Sequence, residues 1–224
     1  FNIPKASILH QDIKFTPYGE SMKACSQLIL QNQSGKKIDE LVMYLNPALK
    51  VITFRVNEKE VIFDREHQVI RVHYSILPND TLNIDIMYEG KIDENISYLD
   101  IPDDVIFNTK TNGYLACRFG KKYSFLSKSF TLLIPEVLWY PVTEPPTNPS
   151  APFQIMKKFS NYTLSVPLIE GKEIISQGKM ETDEKYVTFN NETSLSGISL
   201  CIGDYNRKDA LIDSISCGLN IFER

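Results

Sequence analysis

Thr81-Leu-Asn-Ile-Asp-Ile-Met-Tyr88 carries a clear period-two pattern of apolar and polar residues. Its residues alternate between two sets, Leu82, Ile84 and Ile86 on one side and Asn83, Asp85 and Met87 on the other. A period of two is typical of a β-strand with one face against a core, whereas a helix would scatter the apolar side chains around its axis. The stretch therefore predicts a strand with one buried face.

The same signal recurs along most of the chain. Short runs rich in β-branched and aromatic residues are separated, about every ten residues, by clusters of Asn, Asp, Gly, Pro and Lys. The break at 57–60 indicates a hairpin turn, and 34–45 has room for one helical turn before Asn46-Pro47 stops it. Strands are predicted at 7–15, 22–31, 41–44, 51–56, 69–76, 81–88, 114–119, 162–166, 174–176, 186–189, 197–202 and 214–221.

This pattern predicts an all-β protein with little helix, built as a β-sandwich or as saddle-like antiparallel sheets. The segment of different character is 139–152, whose five prolines indicate a long surface crossing. The crossing is either a loop that wraps one sandwich or a linker between two domains. Because the strand patterns on its two sides are alike, we expect a single β domain over residues 1–224.

Charge and hydropathy exclude some classes of protein. Twenty-four basic residues against 28 acidic ones give a net charge of -4, without a long block of either sign, so binding of nucleic acid through phosphates is not expected. No run approaches the roughly 18 apolar residues of a membrane-spanning helix. The start, Phe1-Asn2-Ile3-Pro4, lacks both a methionine and a signal-peptide pattern, so we expect a domain excised from a larger protein.

Motifs for catalysis are missing from the sequence. None of the histidines, His10, His67 and His73, begins the HExxH string of a zinc peptidase, and the sequence contains no Gly-x-Ser-x-Gly elbow. The acidic pair Asp103-Asp104 lacks the ordered ligand spacing of a calcium loop. We therefore expect no catalytic residue, metal or cofactor in this chain, with a hydrolase that lacks a recognisable motif as the remaining enzymatic alternative.

The four cysteines are far apart and form no CxxC pair that would indicate zinc or redox chemistry. Cys201 and Cys217 lie in apolar runs typical of strands, which favours buried thiols. Spacing leaves open whether Cys25, Cys117, Cys201 and Cys217 form disulfides.

One cluster is a candidate interface or binding site. Trp139-Tyr140-Pro141 stands at the entrance to the crossing and includes the only tryptophan of the chain, with the acidic Glu136 just before it. Aromatic residues and prolines on irregular backbone often form contact surfaces. The alternative is that Trp139 fills the core beneath the crossing.

The order of segments resembles the N-terminal β domain of the aminopeptidase N family of zinc metallopeptidases. The similar strings include 41–52 and 80–92, followed by Trp139-Tyr-Pro where the family carries a Phe-Pro-Cys stretch, then 159–167 and Ile202-Gly-Asp-Tyr. The Trp-Tyr-Pro variant looks like a divergent bacterial branch in which the peptidase-like region is fused to ABC-type transporter permease segments. The family's N-terminal domain often supplies a Gln or Glu that binds the free amine of the substrate. Glu136 is the nearest acidic residue here, and that role is not assigned to it.

The resemblance implies a noncatalytic domain that packs against a following metallopeptidase-like domain and shapes its substrate cleft, with a peptide as the substrate and zinc in the parent protein. It further implies a domain without a membrane span of its own, carried by a bacterial membrane protein. The alternative from another class is a free-standing sandwich that binds a ligand or a protein through Trp139, Tyr140 and the prolines.

Overall fold

The computed structural model of the protein describes residues 5–97, 125–144, 158–213 and 215–222. The predicted fold class is confirmed, because strands dominate these residues and the helical segments are two short 3₁₀ turns, Glu94–Ser97 and Pro135–Val137. The strands are β1 Ser7–Tyr18, β2 Ser21–Gln31, β3 Leu41–Tyr44, β4 Leu49–Val56, β5 Lys59–Glu60, β6 Phe63–Glu66, β7 Val69–Val72, β8 Thr81–Gly90, β9 Phe125–Leu126, β10 Thr131–Leu133, β11 Asn161–Pro167, β12 Glu173–Ser176, β13 Lys179–Thr182, β14 Tyr186–Asn190, β15 Leu200–Gly203, β16 Tyr205–Ile212 and β17 Ile215–Phe222.

A large sheet organises the fold. Its eight strands run in the order β13-β14-β11-β1-β2-β8-β4-β5, and all neighbours are antiparallel except β1 and β11. A three-stranded sheet (β3-β7-β6) and a four-stranded sheet (β12-β15-β10-β9) share one hydrophobic core with it, in the manner of a sandwich. The parallel pairing of β1 with β11 places strands from before and after the crossing in the same sheet.

Strand β8 lies inside the large sheet, between β2 and β4, and follows the alternation that its sequence predicts. Leu82, Ile84 and Ile86 are at most 4% exposed, whereas the residues between them face away from the core. At the end of the strand, the hydroxyls of buried Tyr88 and Ser26 lie 3.1 Å apart. Burial raises the pKa of Tyr88 far above its usual range.

The predicted hairpin at 57–60 is confirmed. Asn57 and Glu58 both have positive φ, 48° and 68°, and connect β4 to β5 as a two-residue turn of the kind that matches strand twist.

Other sequence-based expectations need correction. The segment 34–45 contains bends and β3 rather than a helical turn, because buried Asn32 fastens this loop by donating to the carbonyl oxygens of Lys36 and Ile76 (2.7 and 3.0 Å). The strand predicted at 69–76 ends at Val72, and that at 197–202 is β15. The strand predicted at 114–119, the pair Asp103-Asp104 and residues 145–152 of the crossing lie outside the described residues.

Three of the four cysteines, Cys25, Cys201 and Cys217, lie within the described residues. Cys25 and Cys201 are free thiols that are half-buried rather than buried, and burial raises the pKa of both. Cys217 lies in β17 opposite Ala210, and Cys117 lies outside the described residues.

Candidate contact site at the Glu136 turn

A short turn presents Glu136 at the surface. Pro135–Val137 forms one 3₁₀ turn with proline at its start, where the missing N–H costs no hydrogen bond. The turn ends at Leu138, whose backbone is left-handed (φ 54°) and whose N–H donates to the carbonyl of Pro135 at 3.0 Å. Glu136 is exposed, while Val137 and Leu138 are buried. The carboxylate therefore projects from a turn held by its apolar neighbours.

Asn46 fastens this turn to the rest of the fold. Its side chain is fully buried, and its Nδ2 donates to the carbonyls of Val137 (2.8 Å) and Asp93 (2.9 Å). Its Oδ1 accepts from the N–H groups of Ala48 (3.1 Å) and Asp93 (2.9 Å). Its backbone N–H donates to Leu138 at 2.8 Å. One asparagine thus joins three loops and uses all of its side-chain donors and two acceptor positions.

Behind the turn, Trp139 and Tyr140 are core residues, 0% and 1% exposed. Their rings lie in a chain of edge contacts from Phe15 to Tyr162, with centroid separations of 5.9 Å (Phe15 to Trp139), 4.8 Å (Trp139 to Tyr140) and 5.8 Å (Tyr140 to Tyr162). Edge-to-face geometry of this kind adds to the stabilisation that burial itself gives. The aromatic pair therefore anchors the start of the crossing from below.

The Tyr140 hydroxyl accepts a hydrogen bond from the N–H of Ile198 at 3.1 Å. Burial raises the pKa of Tyr140 well above its usual range, and neighbouring Tyr162 adds to the effect. Gly197 leaves the space for this contact, because a Cβ there would lie 2.9 Å from the Pro135 ring and 3.0 Å from the Tyr140 hydroxyl. Any side chain at this position would push against the Glu136 turn.

The first residues of the crossing are also hydrogen-bonded to the rest of the fold. Tyr44 and Val142 exchange backbone hydrogen bonds of 2.7 and 3.0 Å. Glu144 then lies between two lysines, 3.3 Å from Lys5 and 3.2 Å from Lys158. These hydrogen bonds and ion pairs attach the chain to the rest of the fold just before residue 145 and just after residue 157.

Of the four candidate residues, Glu136 is exposed and the other three are buried. The rings of Trp139 and Tyr140 are inaccessible in this structure, so they fill the core and can influence a partner only through the turn that they hold in place. A role of these four residues in an interface stays a prediction. The sequence analysis did not identify Asn46 as a residue of this site. The Asn46-Pro47 string, which is typical of a turn, was the available signal.

Chemically, the site can offer one carboxylate and the surface around it. Within the described ranges, no group of three or more His, Cys, Asp or Glu side chains is placed to hold a metal ion, so these residues do not fit a zinc site. The histidines have acidic neighbours or lie exposed: His10 is 3.0 Å from Asp12, and His73 is 2.8 Å from Asp64. Among the described residues, no helical segment has the length and apolar character of a membrane span.

Neither a family model nor a curated protein matches the chain. Solved structures do match. The M1 zinc metallopeptidase from Deinococcus radiodurans superposes with a TM-score of 0.67 at 15% identity, over 92% of this chain and 44% of that one. A variant of that enzyme bound to a Tyr-Ser-Ala substrate gives 0.66 at 13% identity, over 96% and 46%. A two-domain M1 zinc metallopeptidase variant bound to L-tryptophan gives 0.66 at 15% identity, over 96% and 47%. The chain therefore has the fold of a part of M1 zinc metallopeptidases and spans less than half of their length.

Proposed function

We propose that this chain is a noncatalytic N-terminal domain of a zinc aminopeptidase-like protein, which packs against a following metallopeptidase-like domain and shapes its substrate cleft. The observation that carries the proposal is the asymmetry of the structural match. Nearly the whole chain superposes on M1 zinc metallopeptidases, yet 53–56% of their length has no counterpart in it. The zinc and the reacting groups belong, in this proposal, to the part that the chain does not contain.

The Glu136 turn supports a role in shaping a cleft. A surface that limits which peptides enter has to keep its form when a ligand arrives, because a mobile surface loses binding energy to ordering. This turn is fastened by Asn46 on one side and by buried Trp139 and Tyr140 on the other. Its carboxylate is thus presented by a rigid support. The partner is the following domain, and a peptide is the ligand class.

The finer parts of the proposal come from the sequence resemblance. They are the divergent bacterial branch, the fused ABC-type permease segments and the association of the parent protein with a membrane. The competing proposal is a free-standing module that binds a ligand through the rings of Trp139 and Tyr140. The structure does not favour it, because both rings are buried.

The test uses the polypeptide that the parent reading frame encodes, with a protease site placed after residue 224. We expect a metallopeptidase-like domain to follow, and the two fragments to elute together in size-exclusion chromatography after cleavage. If the fragments separate, or if no such domain follows, the proposal is wrong.

Glu136 is tested in the same polypeptide. Glu136→Gln is expected to alter peptide binding to the parent protein, measured by calorimetry with a set of short peptides. Glu192→Gln, at an exposed site on another loop, is the matched control and is expected to leave binding unchanged.

A further inference from the structure

A cavity of about 470 Å³ lies between the start of β4 in the large sheet and β6 in the three-stranded sheet. Its apolar wall is formed by Leu49, Val51 and Phe63. The Phe63 ring rests against that of buried Phe54, with 5.8 Å between the ring centroids. Arg65 also lines the cavity, and among the described residues no Asp or Glu does so. A volume of this order is typical of pockets that hold small ligands.

The alternation of β6 separates Arg65 from the carboxylates beside it in the sequence. Arg65 lies opposite buried Ile70 in the register of β6 with β7. Because strand residues alternate, Asp64 and Glu66 point to the opposite face, and both are exposed. The guanidinium therefore lies on the inner side of its strand, and the neighbouring carboxylates lie on the outer side.

Backbone carbonyls hold the Arg65 guanidinium in a fixed orientation. Its Nε donates to the carbonyl of His67 at 3.0 Å, and its Nη2 donates to those of Leu45 and Asn46 at 3.3 and 2.6 Å. Nη1 is buried and has no hydrogen-bond partner among the described residues. Since a guanidinium carries five N–H donors, these three bonds leave both donors of Nη1 without an acceptor.

The charge of Arg65 has no counter-ion within the part of the chain that the structure describes, because its partners there are uncharged carbonyls. Partial burial lowers the pKa of Arg65, as expected where water solvates the cation less well than in the unfolded chain. A buried charge costs free energy unless it is paired. The cavity therefore favours an anion over a neutral molecule of the same shape.

We propose that this cavity binds a small organic anion, in which a carboxylate or phosphate group is attached to an apolar body. The anionic group lies against the guanidinium of Arg65 and accepts from Nη1 once the side chains that cover this nitrogen have shifted. The apolar body packs against Val51 and Phe63. Hydrogen bonds between a guanidinium and an anion are stronger than neutral ones, and the carbonyl contacts already fix the guanidinium, so binding orders few further groups. The site consists of this chain's own residues, so the inference goes beyond the proposed function and does not depend on a following domain.

The experiment is a titration of the isotope-labelled 224-residue chain, followed by the NMR signals of its backbone amides. Three compounds are compared. N-acetyl-leucine carries a carboxylate, phenyl phosphate carries a phosphate, and N-acetyl-leucinamide has the body of the first compound without its charge. Arg65→Gln removes the cation. Arg55→Gln is the matched control, because Arg55 is an exposed arginine of β4 that does not line the cavity.

We expect the amides of Ala48, Val51 and His67 to shift in a saturable manner with at least one anion and not with N-acetyl-leucinamide. The anion that binds more tightly identifies the preferred group. In Arg65→Gln the affinity should fall at least about tenfold, the loss expected for one charge-assisted hydrogen bond, while Arg55→Gln should bind like the unchanged protein.

The inference is overturned if neither anion shifts these amides at tens of millimolar, or if the neutral compound shifts them equally. It is also overturned if Arg55→Gln weakens binding as much as Arg65→Gln does. The titration of the unchanged protein decides the first two outcomes without any variant, so the test holds even if Arg65→Gln fails to fold.

Discussion

Replacing Asn46 with alanine tests whether one side chain holds the candidate site together. The change removes four hydrogen bonds, those to Val137, to Ala48 and to the two backbone groups of Asp93, and it leaves the backbone bond to Leu138 in place. A hydrogen bond contributes about 1 kcal/mol net. Because water reaches some of the freed groups, we expect a loss of about 3 to 4 kcal/mol in the free energy of unfolding. For a domain of this size that lowers the Tm by roughly 10 °C.

The assay is urea unfolding followed by circular dichroism and by the fluorescence of Trp139, the only tryptophan of the chain. Its ring lies directly beyond the turn that Asn46 fastens, so its emission should shift to the red in Asn46→Ala before global unfolding. Asn46→Asp keeps the two acceptor bonds but turns an oxygen towards two carbonyls, and should destabilise at least as much. Asn83→Ala, at an exposed asparagine of β8, should change stability by less than about 0.5 kcal/mol. A loss below about 1 kcal/mol in Asn46→Ala, with unchanged emission, would refute the reasoning.

Three further predictions concern the same region. Gly197→Ala should destabilise the protein by about 1 to 3 kcal/mol in urea unfolding, because the added methyl group overlaps the Pro135 ring and the Tyr140 hydroxyl; a stability within error of the unchanged protein would contradict this. Burial raises the pKa of Tyr88 and Tyr140 above the usual tyrosine value of 10.0, so the folded state keeps their protons to higher pH than the unfolded chain does. Stability should therefore be complete below pH 10 and fall as pH rises above it, which a series of Tm measurements checks; Tyr140→Phe should flatten that fall, and an unchanged slope would count against it. Glu144→Gln should cost less than about 1 kcal/mol and lose its effect at high salt, as a partly exposed ion pair does, and a salt-independent cost would contradict this assignment.

Part of the candidate site could be predicted from the sequence. Trp139 and Glu136 stand out in the sequence as a lone tryptophan and the nearest acid before it. Glu136 is exposed and Trp139 is buried because they lie on either side of the left-handed end of the 3₁₀ turn at Leu138. No local pattern specifies that turn. Asn46 lies 91 residues before its partner Val137, so its role depends on which loops meet in the fold.

The all-β class, the alternating faces of β8 and the hairpin turn at 57–60 could be predicted from the residues alone, because period-two burial and turn chemistry are local properties of the chain. The parallel pairing of β1 with β11 and the burial of Trp139 could be seen only in the folded protein. Each of these depends on which distant segment supplies the partner. A strand's alternation fixes which of its faces is buried, and the packing of the whole chain decides what buries it.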